Sequence, residues 1–254
     1  MAKIKGFFFD QDGVIIDTER DGHRVAFNRT FKEFGFNVEW DVETYHGLLQ
    51  IAGGKERMKR YLDEKGFGVK VTPEQEEDLI KRLHKRKTEI FIELIESGSL
   101  PLRPGIRRIM HEIMNLGLVL GICTTSNAQV AHAITEKLLA EISFDLVLAG
   151  DEVSRKKPDP EIYLLALEKT GLKAKEAICI EDSHNGVTAA RGAGLRVVAT
   201  TNVYTEQEDL SRADIVVTCL GDPDGERGTL KKGSADLRYD GVLTASALTS
   251  YFST

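Results

Sequence analysis

Cysteine is scarce in this 254-residue chain. The three cysteines, Cys123, Cys179 and Cys219, are odd in number and widely spaced, so no disulfide framework or thiolate metal site follows, and a reducing compartment is the simpler setting. Internal repeats and low-complexity stretches are absent. No apolar run approaches the roughly 20 residues needed to span a bilayer. A strand-like segment is under way by Ile4, too early for a signal peptide, so the expectation is a soluble, cytoplasmic protein. Positive charge is not in excess either. With 34 Lys and Arg against 40 Asp and Glu the net charge is −6, which argues against a non-specific nucleic-acid binder. It leaves room for a small anionic substrate, whose binding depends on local basic residues. What is present is ordinary for a soluble globular protein: 41% hydrophobic and 29% charged residues, enough for one large domain or two modest ones.

Along the chain a short strand gives way to a long helical section and then to alternating strands and helices. Ile4 to Asp10 is a compact apolar run with three phenylalanines, as in a strand buried on both faces. From Thr18 to about Ser97 the spacing is helical; Phe27, Phe31 and Phe34 share a face and Gly35 supplies a stop. Thr72-Pro73-Glu74-Gln75 reads as a capping box opening an amphipathic helix marked by Leu79, Leu83, Ile90, Leu94 and Ile95. Strands are expected over 118–123, 144–148, 177–180, 195–199 and 215–217. Helices are expected after Pro104-Gly105, after Ser126 as a cap, after Asp159-Pro160 and from about Gly186. This alternation predicts an α/β fold with a doubly wound parallel sheet, built from residues 1–17 and 99–254, and a small all-helical domain, 18–98, inserted after the first strand. The polar, glycine-rich stretch 221–241 lacks periodicity and is expected to be a surface loop before a short terminal helix.

Ligands of parallel sheets bind beyond the carboxyl ends of the strands. Four polar signatures fall there: Asp10-Gln11-Asp12 after the first strand, Thr124 after the second, Lys157 beyond the third and Glu181-Asp182 after the fourth. Carboxylates converging on one crevice repel one another unless a cation lies between them. Oxygen-only ligands select a hard metal, Mg²⁺ foremost, and a partly open cation suits a phosphate ester. Each signature also has a plainer reading. Asp-x-Asp-Gly can be a turn or a calcium-loop fragment, Lys157 a solvated charge, Thr124 a helix cap, and Glu181-Asp182 caps for the following helix. Their joint occurrence at successive strand ends favours a site. Ser183 is a candidate to orient the metal-binding carboxylates, His184 and Asn185 read as cap or surface groups, and Cys123 and Cys179 as small buried hydrophobes.

Asp10-x-Asp12-Gly13-Val14, Thr124, Lys157-Pro158-Asp159-Pro160 and Glu181-Asp182-Ser183 resemble the four ordered motifs of the haloacid-dehalogenase-like phosphohydrolases, across the whole core. The resemblance implies that Asp10 attacks phosphorus to form an aspartyl-phosphate, with Asp12 as general acid and then general base. It implies that Thr124 binds a phosphoryl oxygen and that Lys157 neutralises charge on Asp10 and the transferred group. Mg²⁺ would be held by Asp10, Asp182 and the Asp12 carbonyl, with Glu181 helping directly or through water. The helical insertion resembles the small cap of the β-phosphoglucomutase-like branch, which closes over the site and carries specificity residues. Asp17, Thr18 and Glu19 sit at its first hinge and Leu100 to Pro104 at its second.

Within the insertion, Ile51-Ala52-Gly53-Gly54-Lys55-Glu56-Arg57 sets two glycines and basic residues ahead of a helix, which reads either as a second anion site or as an ordinary interhelical turn. Glu19-Arg20-Asp21-Gly22-His23, Glu96-Ser97-Gly98-Ser99-Leu100, Thr124-Thr125-Ser126-Asn127 and the Gly-Gly-Lys turn are similar to the CbbY-type phosphatases. Those enzymes act on sugar bisphosphates, notably xylulose-1,5-bisphosphate. The implied substrate contacts are Glu19, Arg20, Gly53, Gly54, Lys55, Thr125, Ser126 and Asn127; the implied partner is a small sugar phosphate, with no nucleic acid or membrane and a monomeric chain. A phosphosugar mutase and a phosphoglycolate-type phosphatase use the same Asp10 chemistry and remain open, and a phosphate-sensing scaffold is the non-enzymatic alternative. A carbon–halogen hydrolase ranks below these because Asp12 is present.

Overall fold

Three consecutive phenylalanines cannot all turn to one face of a strand, and Phe7, Phe8 and Phe9 are all fully buried in β1 (Gly6–Phe9). The structure, a computed structural model, describes residues 3–51, 53–69, 72–234, 236–237 and 239–253. After β1 come a π-helical turn (Thr18–His23), α1 (Arg24–Glu33), α2 (Val42–Leu49), α3 (Gly54–Lys65) and α4 (Pro73–Glu96). Next are α5 (Ile106–Asn115), β2 (Val119–Cys123), α6 (Ala128–Leu138), β3 (Leu146–Leu148) and α7 (Glu161–Thr170). The chain ends with β4 (Ala177–Glu181), α8 (His184–Gly192), β5 (Arg196–Thr200), β6 (Ile215–Val217), β7 (Leu230–Lys232) and α9 (Ala245–Ser253). These elements form two compact units, Met1–Asp17 with Pro101–Thr254, and Thr18–Leu100.

The first unit is a seven-stranded sheet in the order β3-β2-β1-β4-β5-β6-β7, parallel throughout except for β7. Phe8, Cys123, Cys179 and Val197 form a single core cluster with Tyr163 and Ala166 of α7 and Val187 and Ala190 of α8. Phe7, Phe9, Ile122 and Ile180 alternate with them and face the opposite way, and all four are fully buried. On that side α5 buries Ile106, Ile109, Met110 and Ile113, in contact with β2 and α9. The sheet is therefore covered on both faces, the doubly wound arrangement. From β1 the chain runs outward to β2 and β3, then returns to β1's other side for β4 and β5. This reversal makes the ends of β1 and β4 the switch point where such sheets bind ligands. The register pairs Phe9 with both Ile122 and Ile180, so Asp10 emerges level with Cys123 and Glu181, the last residues of β2 and β4. All three cysteines are buried free thiols.

The expected loop over 221–241 needs correction. Leu230–Lys232 is a seventh strand, antiparallel to β6 and pairing Val216 with Lys232 and Val217 with Leu230. Its two lysines are exposed, so it has neither the apolar run nor the alternation that marks a strand. Exposed lysines are a usual protection for a sheet edge.

The second unit is all helical. Its core is aromatic: Trp40 lies 4.7 Å from Phe27 and 4.9 Å from Phe31 between ring centroids, and Phe31 lies 5.3 Å from Phe67. At the start of α4 the Thr72 N–H donates to Gln75 Oε1 at 3.1 Å, half of the expected capping box. Ala52, part of the expected Gly-Gly-Lys turn, lies outside the described residues. Among the described residues, no helix is long and apolar enough to cross a membrane.

Candidate active site

In the α/β unit the residues from the strand ends converge. β1 runs straight into Asp10, whose N–H is fixed to the Ile180 carbonyl of β4 at 2.9 Å. The chain then turns sharply at Gly13, which has φ of +81°. A β-carbon there would overlap the Asp182 carboxylate, so only glycine fits for both conformational and steric reasons. Lys157 Nζ donates to Asp10 Oδ1 at 2.6 Å, to the Cys123 carbonyl at 2.8 Å and to Glu181 Oε1 at 2.7 Å. All three of its protons are thereby used. The Tyr163 hydroxyl donates to the same Glu181 oxygen, and Gly186 at the start of α8 leaves space against the other. Ligand oxygens of Asp10, Glu181 and Asp182 all lie within 4.8 Å of one another, and all three residues are buried.

The electrostatics follow from this crowding. Burial raises the Asp10 carboxyl to about 7, the Lys157 cation opposes the rise, and the Glu181 and Asp12 charges add to it. Asp182 is held well above its ordinary 3.8 by burial and by Asp10 and Glu181, against Arg103 and the Asn202 amide. Burial alone would lower Lys157, but the Asp10 and Glu181 carboxylates outweigh it and raise the ammonium further. One buried cation among three buried carboxylates leaves a negative excess, and the donors are all oxygens, so a hard divalent cation fits here.

The 124–127 segment differs in part from expectation. Thr124 is fully buried and its Oγ1 accepts from the Ser126 N–H at 3.1 Å, which leaves its own proton free to donate. Ser126, expected to cap α6, instead donates from Oγ to Asp12 Oδ2 at 2.5 Å. The cap is Asn127, whose Oδ1 accepts from Val130 N–H at 3.0 Å, so its oxygen is engaged by the helix while its Nδ2 takes no part in that bond. Serine and asparagine are equally good caps, so composition could not choose between them. The Thr125 carbonyl accepts from Lys156 at 3.1 Å. Ser183 caps α8 by accepting from Gly186 N–H at 3.1 Å, and does not reach the carboxylates it was expected to orient. That part falls to Asn202, whose Nδ2 donates to Asp182 Oδ2 at 2.8 Å. Asn202 stands two residues past β5, a strand-end position whose signal the sequence did carry.

Residues 7–200 match the haloacid dehalogenase-like hydrolases. The chain belongs to this family. It is 45% identical over 223 residues to the CBBY-like protein of Arabidopsis thaliana, covering 86% of this chain and 70% of that protein. It is 40% identical over 215 residues to Protein CbbY of Rhodobacter capsulatus, covering 84% and 92%. Among solved structures it resembles a mutant CbbY from Rhodobacter sphaeroides in complex with xylulose-1,5-bisphosphate, with 37% identity and a TM-score of 0.66 over 85% of this chain and 94% of that one. This haloacid dehalogenase-like hydrolase is thus a phosphoric monoester hydrolase with CbbY-type relatives.

The hydrolase's helical unit holds its own polar cluster. Glu19 accepts from the Tyr45 hydroxyl, with Arg57 4.0 Å away. Arg20 is exposed and forks onto its neighbour Asp21 at 2.9 and 2.8 Å. Gly53 caps α3 with φ of +96°, but the Glu56 side chain folds back against it, so a carboxylate of the unit itself faces the end expected to take an anion. Lys55 is exposed. In this unit the motifs of the sequence pass over Lys87. It is 7% exposed, lies 4.8 Å from the Phe27 ring centroid and 5.2 Å from that of Phe91, and its Nζ sits 2.9 Å from His23 Nδ1. Burial lowers its ammonium to about 8, Glu19 opposes this and Arg57 adds to it; burial, then Lys87, holds His23 well below its ordinary value. The signal was legible: position 87 continues the apolar face of Leu83, Ile90 and Leu94, where a lysine is out of place.

Proposed function

We propose that this chain is a Mg²⁺-dependent phosphatase of small sugar phosphates, preferring a sugar bisphosphate such as xylulose-1,5-bisphosphate and working through an aspartyl-phosphate on Asp10. The observation that carries this reading is the meeting of Asp10, Lys157, Glu181 and Asp182 at the β1–β4 switch point, three buried carboxylates with a single buried cation. Asp10 and Asp182 would hold the metal with the Asp12 carbonyl, and Glu181, whose Oε1 is engaged by Lys157 and Tyr163, would reach it through Oε2 or a water. When bound, Mg²⁺ supplies charge to offset the phosphoryl oxygens.

The chain's own residues do the rest. Lys157 fixes the Asp10 carboxylate so that its second oxygen attacks phosphorus while the bond to the sugar oxygen breaks. Asp12, oriented by Ser126, passes a proton to the departing oxygen and later removes one from the water that attacks the aspartyl-phosphate, releasing phosphate. The Thr124 hydroxyl donates to a phosphoryl oxygen.

Metal dependence carries a defined pH signature. Carboxyls with raised values in the folded state bind protons there more tightly than in the unfolded chain. The stability this brings to the metal-free protein is present below 3.8 and is lost as pH rises through about 7. Mg²⁺ must displace those protons, so the rise in Tm on adding Mg²⁺ should be larger at pH 8 than at pH 6. Equal shifts at both pH values, or none, would remove the metal site from the reading.

Substrate choice is assigned to the helical unit, and the second phosphate to Lys87 with Arg57, because a buried cation facing a histidine and two rings offers an anion a desolvated charge. A panel with Mg²⁺ should show phosphate release from pentulose bisphosphates ahead of hexose and glycolate monophosphates. Lys87→Met should raise KM for the bisphosphate about tenfold or more, as for loss of a hydrogen bond to a charged group, with a smaller effect on monophosphates; Lys55→Ala should change both little. If the Lys87 substitution raised both KM values equally, the second-phosphate assignment would be wrong. Isomerised sugar phosphate without free phosphate would point to a mutase.

A further inference from the structure

We infer that Arg103 is a positioning residue of the phosphoryl-transfer site, a clamp that ties the Asp10–Gly13 turn to the segment presenting Asn202 to Asp182; this rests on the Mg²⁺-dependent reading above. Its guanidinium reaches three separate pieces of chain. Nη1 donates to the Gly13 carbonyl and, at 2.9 Å, to Thr200 Oγ1. Nη2 donates to the Thr201 carbonyl at 2.6 Å and to the Thr218 carbonyl at 2.9 Å. Only a planar fork of several donors serves four such acceptors at once, and a lysine ammonium has three protons on a single point.

What the clamp encloses gives it a role. Gly13 lies flush against the Asp182 carboxylate, and Asn202 donates to that same carboxylate at 2.8 Å. Arg103 therefore binds both sides of the slot that orients Asp182, one through Gly13 and the other through Thr200 and Thr201. The backbone secures the anchor: the Arg103 N–H donates to the Ile15 carbonyl at 2.9 Å, beside an antiparallel bridge between Ile16 and Leu102. The clamp thus stands where the chain re-enters the α/β unit, and it braces the turn that carries Asp10 and Asp12. The four acceptors of its guanidinium belong to Gly13, Thr200, Thr201 and Thr218 and not to the groups assigned to phosphoryl transfer, so its loss should loosen the spacing of the carboxylates and leave the substrate's own contacts intact.

The test compares full-length wild type, Arg103→Met and Arg103→Lys by Mg²⁺ titration of steady-state hydrolysis, with Tm measured in parallel. Arg103→Met should lower kcat and raise the half-saturating Mg²⁺ concentration, each by about 10–100-fold as for loss of an outer-shell partner, with KM for the sugar phosphate within about twofold. Arg103→Lys, keeping the charge without the fork, should fold and fall between the two on both measures. A lowered Tm with wild-type kcat and Mg²⁺ requirement would mean a merely structural arginine and overturn the inference. Should Arg103→Met not fold, Arg103→Lys decides alone, and wild-type behaviour there overturns the inference equally. Wild type that releases no phosphate with Mg²⁺ sinks the parent reading, and the inference with it; an active wild type with unaffected variants sinks the inference only.

Discussion

Asp10→Asn should leave a folded protein that binds sugar phosphate and does not turn it over, with kcat reduced on the order of 10⁶-fold, the scale for removing a covalent nucleophile. Asparagine has the same shape as aspartate, and its carbonyl oxygen can still accept from Lys157, which now lies 2.6 Å from Asp10 Oδ1. The fold should tolerate the change, since Asp10 is one of three crowded carboxylates and the substitution relieves their repulsion. What disappears is the anionic oxygen able to form a bond to phosphorus. Mass spectrometry of acid-quenched wild type should find a phosphoryl group on the peptide containing Asp10, and the variant should carry none. Turnover by Asp10→Asn at a substantial fraction of the wild-type rate would eliminate covalent catalysis at this residue.

Asp12→Ala should slow hydrolysis of a sugar phosphate by roughly 10²–10⁴-fold, the contribution of a positioned general acid. Asp12 is only partly buried, and one of its oxygens is engaged by Ser126 at 2.5 Å, which aims the carboxyl without consuming it. The two halves of its role separate by choice of leaving group. p-Nitrophenolate departs without a proton, so with p-nitrophenyl phosphate the first transfer should persist in Asp12→Ala while attack by water on the aspartyl-phosphate stalls. Rapid mixing should then record a stoichiometric burst of nitrophenolate followed by slow turnover. Equal losses on both substrates with no burst would remove Asp12 from proton transfer.

How much of this was legible depended on how local each signal was. β1, β2, β4 and β5 are dense apolar runs, and Asp10, Thr124, Glu181 and Asp182 stand at or just beyond the ends of three of them, so these four are legible together in the sequence. Lys157 follows no strand immediately and was found through its proline-containing motif. β7 could not be read, because Leu-Lys-Lys is recruited by β6 and has no strand pattern of its own. The exchange of Ser126 and Asn127 turned on one backbone conformation, since either residue can cap a helix. Arg103 was visible only as part of a hinge, because its partners at 200, 201 and 218 lie about a hundred residues downstream and nothing local announces them. Lys87 differs, because its place on an apolar helical face was an anomaly in plain view.

The pairing of Ile16 with Leu102 has a consequence for how the chain reaches this state. β1 finds its neighbours only at Ile122 and Ile180, long after it has been synthesised. Were the intervening stretch slack, closing so long a loop would cost entropy at the moment the sheet forms. The inserted residues have an aromatic core of their own around Trp40, and once that core has set, the stretch between Asp17 and Pro101 is no longer a slack tether. The two ends then act as neighbours, and β1 meets β2 as though joined to it by a short connection. The helical insert thus shortens, in effect, the chain that separates β1 from β2 as the sheet assembles.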